Sequence, residues 1–122
     1  MRKLTSLLTA VSVLSIAVFA VGQSKGPAKV DFTKQIKPII TKSCISCHST
    51  GRPSGGLALD TTDGIKKGGE SGALFTAGKG KDSLLVKYLD GRKKPVMPKK
   101  AAPLTADQIK LVSQWIDEGG KF

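Results

Sequence analysis

The sequence predicts a small all-α domain whose helices are joined by long ordered loops. Residues 105–118 carry a capped, helically spaced apolar stripe, residues 31–43 carry a second one, and no segment alternates for long like a strand. Loops this long in a compact domain usually have a function or something to wrap.

The elements follow in order. Arg2 and Lys3 precede a mainly apolar run from Leu4 to Val21, followed by small residues that offer a cut after Ala20 or after Gly22. This is the pattern of a cleaved secretory signal peptide over residues 1–22. The alternative is an uncleaved anchor, because the run approaches the ~18–20 residues that span a bilayer. Residues 23–30 read as a flexible linker, and residues 31–122 as the folded domain.

In the first helix, Asp31 is placed to cap Phe32, Ile36, Ile39 and Ile40, which share one face. Pro38 lies inside it and predicts a kink or break. Thr61 to Lys67 reads as a short helical turn. Ser83 to Leu89 reads as a short helix that buries Leu84, Leu85 and Tyr88 before Gly91 ends it. In the last helix Thr105 and Gln108 form a capping box. Ile109, Val112 and Ile116 make its stripe, joined by Leu111 and Trp115, and Gly119 and Gly120 stop it.

The formal net charge is +11; without Arg2 and Lys3, 18 basic residues stand against 9 acidic ones, leaving +9. A strongly basic domain associates with nucleic acid, anionic membranes or acidic proteins. No nucleic-acid-binding motif is present, and export argues the same way, so an acidic protein surface is the expected partner. Membrane association is expected only if the leader stays uncleaved.

The chemistry centres on Cys44-Ile45-Ser46-Cys47-His48, the C-x-x-C-H attachment signature of c-type haem. One helical turn presents both thiols to the two vinyl groups of a single haem, and His48 becomes the proximal iron ligand. Three other readings exist. A redox dithiol wants a βαβ pattern that is not visible. A zinc site needs four ligands, and the chain has only two cysteines and one histidine. A structural disulfide is compatible with export. Haem attachment alone uses all three residues.

Met1 leaves with the leader, so Met97, 49 residues after His48, is the one candidate for the sixth ligand. It stands in Pro95-Val96-Met97-Pro98, where the prolines stiffen the loop; the alternative is a methionine that simply packs in the core. The second ring nitrogen of His48 is expected to donate to a backbone carbonyl within Pro53–Leu57. Lys93, Lys94, Lys99 and Lys100 surround Met97 and read as a docking surface or as a solvated charged loop.

The chain resembles the class I cytochromes c, most closely the planctomycete-type cytochrome c domain. The matching pieces run from Ile36-Lys37-Pro38-Ile39-Ile40 through Cys44–His48, Gly55-Gly56-Leu57-Ala58-Leu59-Asp60, Lys67–Gly72 and Ser83-Leu84-Leu85. Met97-Pro98 and Leu104-Thr105 through Trp115–Gly119 complete them. Lys99 stands where the family pattern often has a second proline. The resemblance implies first and last helices that cross beside a single haem c, and Met97 as the distal ligand. Haem attachment, an iron closed by Met97 and the leader together read as a soluble periplasmic one-electron carrier rather than an enzyme, dependent on the cytochrome c maturation machinery and, from its basic charge, on acidic redox partners. The competing reading is a haem-based ligand sensor, or an electron-transfer subunit with labile Met97.

Overall fold

The structure, a computed structural model, describes residues 26–122. The leader proposed over residues 1–22, and the first part of the linker, lie outside the described residues. Gly26 to Lys29 are exposed and irregular. At Val30 the chain joins the body of the molecule, where its N–H donates to Glu118 Oε2 at 2.7 Å.

The first helix begins with a wide turn, Phe32–Ile36, capped by Asp31, which accepts from the Lys34 N–H. The Lys37 N–H bonds to the Phe32 carbonyl, five residues back instead of four. That extra residue puts Pro38 in the first turn of α1, Lys37–Ser43. A proline is tolerated there because the first-turn N–H groups have no intrahelical partner anyway. The helix therefore changes register ahead of Pro38 and continues.

Beyond α1 the fold is mostly helical but not purely so. Strands β1, His48–Ser49, and β2, Arg52–Pro53, form a minimal antiparallel ribbon with His48 opposite Pro53 and Ser49 opposite Arg52. Two residues per strand are too few to show an alternating pattern, which is why the sequence gives no sign of them. A tight turn, Ser54–Gly56, follows.

Helix α2, Thr62–Lys67, is capped by Thr61 Oγ1, and helix α3, Leu84–Leu89, by Ser83 Oγ, which accepts from the Val86 N–H at 3.2 Å. Helix α4, Ala106–Asp117, has the full capping box. Thr105 Oγ1 accepts from the Gln108 N–H at 3.2 Å, and Gln108 Oε1 accepts from the Thr105 N–H at 2.9 Å. Gly119 (φ 109°) and Gly120 (φ 59°) then turn the chain through left-handed conformations that side chains disfavour.

The core lies between the first helix, α3 and α4. Phe32, Ile36 and Ile40 pack with Val112, Trp115 and Ile116, and the Phe32 and Trp115 ring centroids are 5.3 Å apart. Phe75 and Phe122 meet Trp115 edge-on at 5.0 and 5.5 Å, in the tilted arrangements aromatic pairs favour. Trp115 Nε1–H donates to the Lys121 carbonyl at 2.7 Å, so the buried indole has a partner. Gly80 lies against α4, where an added Cβ would strike the Ser113 carbonyl, and its N–H donates to Asp117 Oδ1 at 2.7 Å.

One packing expectation fails. Helix α3 sends Val86 and Leu89 into the core, while Leu84, Leu85 and Tyr88 are only half-buried. Helical spacing shows that two faces of α3 are apolar; it cannot show that one of them lines a cavity.

Candidate functional site

After α1 the chain makes one more turn. The Cys44 N–H bonds to the Ile40 carbonyl at 2.9 Å, and the His48 N–H bonds to the Cys44 carbonyl at 2.9 Å. Cys44 and Cys47 are half-buried free thiols on that turn. Burial pushes the Cys44 thiol up to about 11, so it is neutral at physiological pH. A redox dithiol depends on a depressed thiol pKa, which this environment opposes. Among the described residues no three His, Cys, Asp or Glu side chains are placed to hold a metal ion, which disfavours the zinc reading.

His48 is fixed from two sides. Its ring Nδ1 lies 2.9 Å from the Ser54 carbonyl, inside the stretch expected from the sequence. A carbonyl only accepts, so Nδ1 carries the hydrogen and the neutral ring keeps its lone pair on Nε2. The His48 carbonyl in turn accepts from the Leu59 N–H at 2.8 Å. Next to it, the Asp60 carboxylate accepts from the Thr50 N–H at 2.9 Å and from Thr50 Oγ1–H at 2.8 Å, clasping the ribbon to the start of α2. These bonds hold the Asp60 carboxyl below the usual carboxylate range.

The turn at Gly69–Gly72 closes against the Ser54–Gly56 turn. The Glu70 N–H donates to the Gly55 carbonyl at 2.8 Å, and a Cβ on Gly69 would press on that same carbonyl.

Cys44, Cys47, His48 and Met97 line one cavity of about 460 Å³. This is within the range of small-molecule and cofactor pockets. Its apolar wall is built of leucines, among them Leu57, Leu74, Leu84 and Leu85, and its charged lining is basic, from Arg52, Lys99 and Lys100. Ser71 and Tyr88 add hydroxyls, 3.5 Å from each other.

Met97 sits half-buried against the core, and its N–H donates to the Tyr88 carbonyl at 2.9 Å, which ties the loop to the end of α3. Of the four lysines around it, all exposed, Lys99 and Lys100 reach the cavity. Lys93 lies over the Tyr88 ring, 5.6 Å from its centroid. The leucine wall and Arg52 were not identified as site residues from the sequence. The only signal for them was Leu84, Leu85 and Tyr88 on a helix that already had Val86 and Leu89 for the core.

The site thus offers two thiols, an imidazole with a free ring nitrogen, a thioether, an apolar wall and cations. Comparison with known proteins found no match among curated proteins and none among solved structures. A family model does match, over residues 44–101. That span holds both cysteines, His48, Met97 and every leucine of the wall, but is shorter than the resemblance from Ile36 to Gly119 read from the sequence. The matching model is that of the family described as Planctomycete cytochrome C, to which this stretch of the chain is similar.

Proposed function

We propose that the protein is an exported single-haem electron carrier. Cys44 and Cys47 would hold haem c through thioether bonds, and His48 and Met97 would be the iron ligands. One observation carries this reading: all four residues line the same cavity, and the hydrogen on His48 Nδ1 leaves Nε2 free to bind a metal. The donor set fits the group. A porphyrin face suits the leucine wall, and its two carboxylates suit a lining whose charges are basic. When bound, the haem supplies the one-electron chemistry. The chain's own residues hold the ligands, exclude water and present a docking face.

Ligation by a thioether and an imidazole would raise the reduction potential relative to two imidazoles and would close the iron to outside ligands. Closed iron favours electron transfer over gas binding or peroxide chemistry, so no enzymatic activity is proposed. Lys99 and Lys100 at the cavity, within a basic chain, support docking of acidic redox partners by electrostatic steering. The leader sequence supports a periplasmic location, cleaved and soluble, or anchored if it is retained. No helix among the described residues is long and apolar enough to cross a membrane.

The test is an absorption spectrum and redox titration of the periplasmically matured protein beside Met97→Ala. The variant is expected to lose the weak far-red sulfur-to-ferric-iron band and to shift to a lower potential. An unchanged spectrum and potential would remove Met97 from the iron. Rapid, tight carbon monoxide binding by the reduced wild type would favour a ligand sensor with labile Met97 instead.

A further inference from the structure

Met97 stands on a loop that has little packing of its own. From Gly91 to Ala101 every side chain except those of Met97 and Pro98 is exposed or belongs to glycine, and Val96, the one large apolar residue among them, is 37% exposed. Such a segment opens locally at low free energy unless something ties it down. Two of its ties are backbone bonds to the end of α3: Lys93 N–H to the Lys87 carbonyl at 2.8 Å and Met97 N–H to the Tyr88 carbonyl at 2.9 Å.

The third tie is a side chain. Arg92 Nε–H donates to Asp90 Oδ2 at 2.7 Å, Nη2 approaches the same oxygen at 2.7 Å, and the Arg92 N–H reaches Asp90 Oδ1 at 3.1 Å. Nη2 also donates to the Lys81 carbonyl at 2.5 Å. Asp90 closes the C-terminal end of α3, whereas Lys81 precedes its N-terminal cap, Ser83. One guanidinium therefore holds the segments on both sides of the short helix that forms part of the cavity wall, at the root of the loop carrying Met97. This is the one ion pair among the described residues, and two guanidinium nitrogens converge on one carboxylate oxygen while Nη2 also reaches the Lys81 carbonyl, which fixes the direction of the side chain.

We propose that Arg92 is a positioning residue for Met97: its clamp on Asp90 and Lys81 keeps the loop closed and the thioether directed into the cavity. The inference rests on the reading of Met97 as a ligand. With the clamp released, the backbone bonds at Lys93 and Met97 open more often, and an outside ligand competes better for the sulfur's position.

The test uses the matured protein and imidazole as the probe. Binding to the ferric form is followed by loss of the far-red sulfur band, and amide hydrogen exchange is read at Lys93 and Met97. Arg92→Ala should raise the apparent imidazole affinity by about fivefold, a ratio set by the modest worth of an exposed pair plus one charge-assisted bond. It should also speed exchange at both amides. Arg92→Lys, which keeps the charge but not the fork, should fall between, and Asp90→Asn should repeat the effect from the other partner even if Arg92→Ala matures poorly.

Thr105→Ala on α4 serves as a control that loses stability without touching the clamp. Equal imidazole affinity in wild type and the clamp variants, or a rise no larger than that of the control, would overturn the proposal while Met97 remained the ligand. A wild type that lacks the far-red band and matches Met97→Ala would overturn both readings.

Discussion

At the scale of single residues, the site depends on short polar contacts that hold a two-residue strand in place. His48 gains its direction from the Ser54 carbonyl, and the strand carrying it is held through Thr50 and Asp60. The Asp60 carboxyl is lowered first by the Thr50 hydroxyl and then by the Thr50 N–H, against a smaller opposing desolvation. A depressed folded-state pKa gives stabilisation that is present above the unfolded-state value of about 4 and lost as pH falls through the folded-state value. Asp60→Asn keeps one acceptor oxygen but does not titrate. It should therefore be less stable than wild type at neutral pH, with the gap closing in acid below about pH 4. Denaturant midpoints measured across that range check this; a gap independent of pH would show that the charge of Asp60 plays no part.

At the scale of elements, legibility in the sequence tracks how local the determining interaction is. The α4 capping box, its stripe and its glycine stop depend on residues three or four apart, and all are found where the pattern puts them. Pro38 was a visible conflict, but its resolution by a widened turn one step earlier, where Phe32 packs on Trp115, is not marked by any local pattern. The β1–β2 ribbon was not legible because two residues per strand show no alternation, and the cavity face of α3 was not because it is set by what lies across the cavity. The site divides the same way: Cys44, Cys47, His48 and Met97 are named by motif and by elimination, while the leucine wall and Arg52 are assembled from four separate segments. For α4 the local reading is quantitative. Thr105→Ala should cost about 1 kcal/mol, the usual worth of an N-cap, and lower the melting temperature by about 4–8 °C in a domain of this size. Trp115→Ala should cost about 3–5 kcal/mol, since it empties the centre of the aromatic cluster. Thermal melts of the two variants check both values, and similar losses would mean the cap or the cluster is misjudged.

For the whole molecule, core and cavity share a wall. Leu59, Leu74 and Leu89 belong to the buried core and also line the cavity, so the two cannot be altered independently. Without a cofactor, water in this cavity of about 460 Å³ would wet the leucines that also hold the core. The helices offer no reserve, because α1, α2 and α3 are six or seven residues long and helices that short are marginal without tertiary packing. A chain that cannot attach haem should therefore fail to keep its fixed packing. Cys44→Ser/Cys47→Ser is expected to lose most of the near-ultraviolet dichroism of Trp115 and its aromatic neighbours, and much of its helical signal. Its thermal transition should be broad and far below that of the matured protein. A sharp transition near the matured protein's, with the near-ultraviolet bands intact, would mean that the leucine wall collapses on itself without a cofactor and that the fold is complete without haem.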